Sequence, residues 1–76
     1  MNEFKWKYNK EGSYDLETTK DGYNASVKRG NIAWSGTVTY PDKTEGFLTG
    51  LMYFEDNARN GCQNAILADR WRKDNE

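Results

Sequence analysis

Over the first two thirds of the chain, apolar and polar residues alternate one for one. Phe4, Trp6 and Tyr8 are separated by Lys5 and Lys7, and Tyr14, Leu16 and Thr18 by Asp15 and Glu17. Tyr23, Ala25 and Val27 alternate with Asn24, Ser26 and Lys28, and Ile32, Trp34, Val38 and Tyr40 with Ala33, Ser35, Thr37 and Thr39. Successive side chains leave an extended strand on opposite sides, so a period of two predicts strands with one buried face. Thr44 to Met52 predicts a fifth, less regular strand. Turn signals separate the runs: Glu11-Gly12-Ser13, Lys20-Asp21-Gly22, Gly30-Asn31 and Pro41-Asp42-Lys43. The Asp-Gly pair favours a tight hairpin because its residues reach positive φ, and Pro41 supplies a fixed φ. Gly36 falls in the apolar register of the fourth strand and marks either a bulge or the close approach of another element.

The period then changes. Phe54, Ala58, Gly61, Cys62, Ala65, Ile66 and Asp69 recur at spacings of three and four, and six of these seven suit one helix face. Glu55 and Asp56 near the start and Arg70, Arg72 and Lys73 at the end complement the helix dipole. The stripe is made of small residues, which lets a helix axis sit close to a sheet carrying large rings. Gly61 costs about 1 kcal/mol in a helix interior, so the helix either runs through it or begins after it. The expected fold is α+β. One domain over 1–76 has an antiparallel β-meander of four to five strands (about 3–53) packed against one C-terminal α-helix (about 54–72). Trp34, central in the longest alternating run, is expected between sheet and helix.

Length limits this fold. A chain of 76 residues buries little more than about 60% of its unfolded surface, and its core supplies roughly 3–5 kcal/mol unless reinforced. One cysteine excludes an intrachain disulfide, and the lack of histidine removes the usual tetrahedral zinc set. No metal or cofactor is expected. Good packing or a second subunit remain as reinforcement, and a homodimer is expected, through an edge strand or through Leu67 and Trp71. The net charge of −1 fits neither a strongly basic nucleic-acid binder nor a carboxylate-covered mimic of DNA. No apolar run reaches a membrane span, and Met1-Asn2-Glu3-Phe4-Lys5-Trp6 lacks the basic and apolar segments of a signal peptide. A lone cysteine fits a reducing compartment, so a cytoplasmic protein is expected.

Candidate chemistry is sparse. Nucleophilic catalysis wants a base beside the nucleophile, usually histidine, and none exists. Cys62 reads as a buried structural thiol, and Asp15/Glu17 and Glu55/Asp56 as solvated carboxylates. An enzyme is not expected. The expected partner-binding anchors are Phe47, Tyr53, Leu67 and Trp71, the last two four apart on a second helix face. The alternative is a single-stranded RNA or DNA binder using exposed aromatics with Lys5, Lys7, Lys28 and Arg29. Lysines on edge strands also serve as a defence against aggregation.

The string Trp6…Gly12-Ser13-Tyr14…Gly22-Tyr23-Asn24-Ala25-Ser26-Val27…Trp34…Thr49-Gly50-Leu51, followed by a helix, resembles small meander-plus-helix proteins of phages and prophages. These proteins often resemble inhibitors of host defence, including anti-CRISPR-type proteins. The resemblance implies an inhibitor that occludes a surface of a host protein in the bacterial cytoplasm. The strands-then-helix order is also similar to the C-terminal part of a double-stranded-RNA-binding domain. That family's last helix opens on lysines, whereas Phe54-Glu55-Asp56-Asn57-Ala58-Arg59 is acidic there. Glu45-Gly46-Phe47-Leu48-Thr49-Gly50 likewise matches the aromatic RNA-recognition motif poorly.

Overall fold

The computed structural model describes residues 4–48 and 53–76. Five strands and one helix follow in chain order: β1 (Trp6–Tyr8), β2 (Ser13–Leu16), β3 (Asn24–Arg29), β4 (Trp34–Thr39), β5 (Glu45–Phe47) and α1 (Glu55–Asp74). The strands form one antiparallel sheet in sequential order, a meander, and α1 lies over β3 and β4. The α+β architecture is the expected one. β5 is shorter than the run that predicted it, and residues 49–52 of that run lie outside the described residues.

The registers sort each strand onto two faces. Trp6, Leu16, Ala25, Val38 and Gly46 form one row across the sheet, and Lys7, Asp15, Ser26, Thr37 and Phe47 form the next. The first row faces α1; the second lies on the open face. Leu16, Tyr23, Ala25, Val27 and Val38 meet Ala58, Cys62 and Ile66 of α1 in the core. Trp6 ties the edge strand to the helix, its indole N–H donating to Gln63 Oε1 at 2.8 Å.

Gly22 adopts φ +94°, the left-handed conformation that the β2–β3 turn requires. Gly36 marks a close approach: a Cβ there would stand 2.7 Å from Leu48 Cδ1 and 2.9 Å from Cys62 Sγ. The helix runs unbroken through Gly61.

One expectation about the core is corrected. Trp34 is half-buried at the rim, not enclosed between sheet and helix. It opens β4, opposite Arg29, where the core thins. The large ring that is enclosed belongs to Tyr23, set by the β2–β3 turn against the helix's last turns.

Candidate interaction surface

The meander places its connections at two ends, and the ends differ in chemistry. The β2–β3 and β4–β5 turns lie at the same end as the C-terminus of α1. There Asp21 accepts from Arg70 Nε and from a second guanidinium nitrogen, both at 2.8 Å, and from the Thr19 hydroxyl at 2.7 Å. The buried phenol of Tyr23 donates to Asp69, which also pairs with Arg72 and with Lys73 at 3.4 Å. Arg70 and Lys73 each stand 5.4 Å from the centre of the Tyr23 ring. The cations of this segment, Arg70, Arg72 and Lys73, are thus each paired with a carboxylate. The Arg70 hydrogen bond holds the Asp21 carboxyl at about 2, below its ordinary 3.8. The Tyr23 hydroxyl, chiefly, holds Asp69 below its ordinary value as well.

With these cations engaged, two apolar residues stand out on the outward face of the same helix. Leu67 is 48% and Trp71 68% exposed, four residues apart and therefore neighbours on the helix surface. Arg72, Lys73 and Asp74 flank them, all exposed. This is a small apolar centre with a charged rim.

The β1–β2 and β3–β4 turns and the start of α1 share the other end. Tyr8 packs on Tyr14 at 5.0 Å between ring centroids, and Tyr14 on Trp34 at 6.0 Å. Trp34, Ile32 and Tyr53 line one depression of about 160 Å³. Tyr8, Ile32, Tyr53 and Phe54 are 64%, 78%, 58% and 69% exposed. Arg59 lies over the Tyr14 ring and pairs with Glu55 at 2.9 Å and Asp56 at 2.6 Å.

The four expected anchors therefore do not form one site. Leu67 and Trp71 share the helix patch, Tyr53 belongs to the aromatic end, and Phe47 projects from the open sheet face. That face also carries a depression of about 290 Å³ lined by Asn24, Ser26, Lys28, Ser35, Thr37, Thr39, Glu45 and Phe47. Of the cations named for nucleic acid, Lys5, Lys7 and Lys28 fall on the open face, while Arg29 sits at the aromatic end. Lys7 is directly opposite Asp15, the Glu17 backbone N–H donates to the Lys5 carbonyl, and Glu45 stands on the same face. The open face thus carries carboxylates as well as lysines.

Sequence reasoning missed Tyr8, Ile32 and Phe54. The alternation places Ile32 in a strand, yet it follows Gly30-Asn31 within the turn, where the alternation no longer fixes a face. The spacing makes Phe54 the first residue of the helix stripe, yet it is the N-cap residue, with extended dihedrals and no side-chain cap. The acidic pair Glu55-Asp56 that follows it is the signal that could have placed it there.

Burial pushes the Cys62 thiol up to about 11, so it is a protonated packing group at neutral pH. Among the described residues no group of three or more His, Cys, Asp or Glu could hold a metal ion. Among the described residues, too, no helix is long and apolar enough to cross a membrane. No protein-family model, curated protein or solved structure matches the chain.

Proposed function

We propose that this chain is a non-catalytic binding protein that occludes a surface of another protein, with Leu67 and Trp71 as its anchors. The observation that carries this reading is the helix patch. Its apolar side chains point outward while Arg70, Arg72 and Lys73 are drawn onto Asp21 and Asp69. The exposed cations beside the patch, Arg72 and Lys73, are already paired with Asp69, which leaves the indole and the leucine as its unpartnered centre. A large aromatic anchor with an aliphatic neighbour inside a polar rim is the composition of an interface hot spot.

The ionisable groups support a non-catalytic role. Asp21 and Asp69 are held low by structural partners and Cys62 is held high by burial, whereas a general base works near neutrality. The resemblance to phage and prophage meander-plus-helix proteins, anti-CRISPR-type inhibitors among them, points to a bacterial host protein as the target.

Affinity capture from bacterial lysate, with and without nuclease, tests the reading. A protein species recovered equally in both samples supports it. Recovery that disappears with nuclease replaces it with a nucleic-acid-binding function.

A further inference from the structure

We propose that the aromatic end of the molecule, where Tyr8, Ile32, Tyr53 and Phe54 are exposed, is a two-fold docking surface for a second copy of this chain. The inference does not rest on the helix patch, which lies at the opposite end.

Size is the first argument. Rings and aliphatic side chains of this kind carry about 150–250 Å² each, and these four are 58–78% exposed. Together they present on the order of 500 Å² of accessible surface per chain, using that range. Apolar patches of about 300–600 Å² are the largest that an ordinary monomer shows. A two-fold contact uses the patch twice, so these side chains alone would cover about 1,000 Å² in total, the size an interface has to reach to exceed a packing contact.

Continuity is the second argument, and it separates a permanent partner from a transient one. The Tyr8–Tyr14–Trp34 ladder connects this surface to the side chains packed on the core. Permanent homodimer interfaces resemble a core cut in half, whereas transient ones set a small apolar centre in a polar rim. The aromatic end shares continuity with the core through Tyr14 and Trp34, whereas the Leu67/Trp71 patch stands on the outward face of the helix. A thin core also gains most from a partner that is always present, and a second copy is such a partner.

Charge is the third argument. Arg29 stands at the hairpin side of the surface and, among the described residues, has no ion pair. Glu55, Asp56 and Arg59 stand at the helix side, two carboxylates against one guanidinium, a net −1. A two-fold axis that sets one side against the other pairs these opposite charges twice. The surface is then complementary to itself.

Sedimentation equilibrium of the purified full chain from low to high micromolar concentration tests this, at about 0.15 M salt so that exposed charges are screened normally. The expected result is a rise from the mass of one chain to that of two. Ile32→Asp and Tyr53→Asp should each raise the dimer dissociation constant at least tenfold. Phe54→Ser removes a ring from the surface and supplies the hydroxyl cap that α1 lacks. It should therefore weaken the dimer without lowering the melting temperature of the monomer, which separates association from folding. Leu67→Asp should leave the dimer intact. A mass that stays at one chain at high micromolar concentration overturns the proposal. So does a dimer that survives Ile32→Asp, Tyr53→Asp and Phe54→Ser alike, or one that dissolves only in Leu67→Asp.

Discussion

The Leu48 side chain fills the space in front of Gly61: a Cβ on that glycine would lie 3.0 Å from Leu48 Cδ1. The same methyl group would stand 2.7 Å from a Cβ on Gly36, which also faces Cys62 Sγ at 2.9 Å. Leu48 is thus seated between a glycine on β4 and a glycine on α1, and the missing side chains let helix and sheet approach closely.

Gly36→Ala should lower stability by about 1–3 kcal/mol, the usual cost of overpacking a filled core, because its Cβ meets two neighbours at once. Gly61→Ala should cost less, since alanine recovers about 1 kcal/mol of helix propensity against a single contact with one half-buried leucine. Urea denaturation of both variants checks the order. A Gly36→Ala protein as stable as the parent would show that the slot is looser than described.

The ion pairs at the helix C-terminus predict acid sensitivity. Asp21 titrates at about 2 in the folded chain against an ordinary 3.8, because Arg70 donates to its carboxylate, and Asp69 is displaced in the same direction. A carboxylate with a depressed folded-state pKa adds stability that is complete above its unfolded value and is lost as pH falls through the folded one. Stability should therefore decline between about pH 4 and pH 2, and Asp21→Asn should flatten part of that decline. Melting temperatures recorded from pH 6 to pH 2 measure it. A variant that follows the parent across the whole window would remove Asp21 from the explanation.

Cys62 should resist alkylation. It is fully buried, and its thiol titrates at about 11, which leaves roughly one part in a thousand as thiolate at pH 8. Iodoacetamide should label the native chain far more slowly than the urea-unfolded chain. Equal rates would mean that the helix opens readily from the sheet.

The fold was legible in the sequence because a period of two and a period of three to four are local signals, and both are sustained here. Gly36 showed its role through position alone: a glycine in the apolar register needs something close to it. Charges at both ends marked the helix near its limits, about 54–72 against Glu55–Asp74, while Gly61 left open whether it ran unbroken. Long-range pairing was not legible. Asp69 completed the helix stripe in the sequence, but nothing local shows that a carboxylate there is buried against the Tyr23 hydroxyl 46 residues earlier. Trp34 was misplaced because the middle of an alternating run in sequence is not the middle of the sheet. The aromatic end was hidden for a related reason. Tyr8, Ile32 and Phe54 sit where strands and helix begin or end, and there periodicity stops assigning faces. Leu67 and Trp71 could be placed together on an outer helix face because the helix continues past them.

Paired capture experiments test most directly the proposed action of the Leu67/Trp71 patch on a protein. Leu67→Ala with Trp71→Ala should reduce recovery of the nuclease-resistant protein species at least tenfold, with the melting temperature nearly unchanged because both side chains are exposed. Lys5→Glu with Lys7→Glu should leave recovery at the parent level. Full recovery with the alanine pair, and loss with the glutamate pair, would contradict the account and move the contact to the open sheet face.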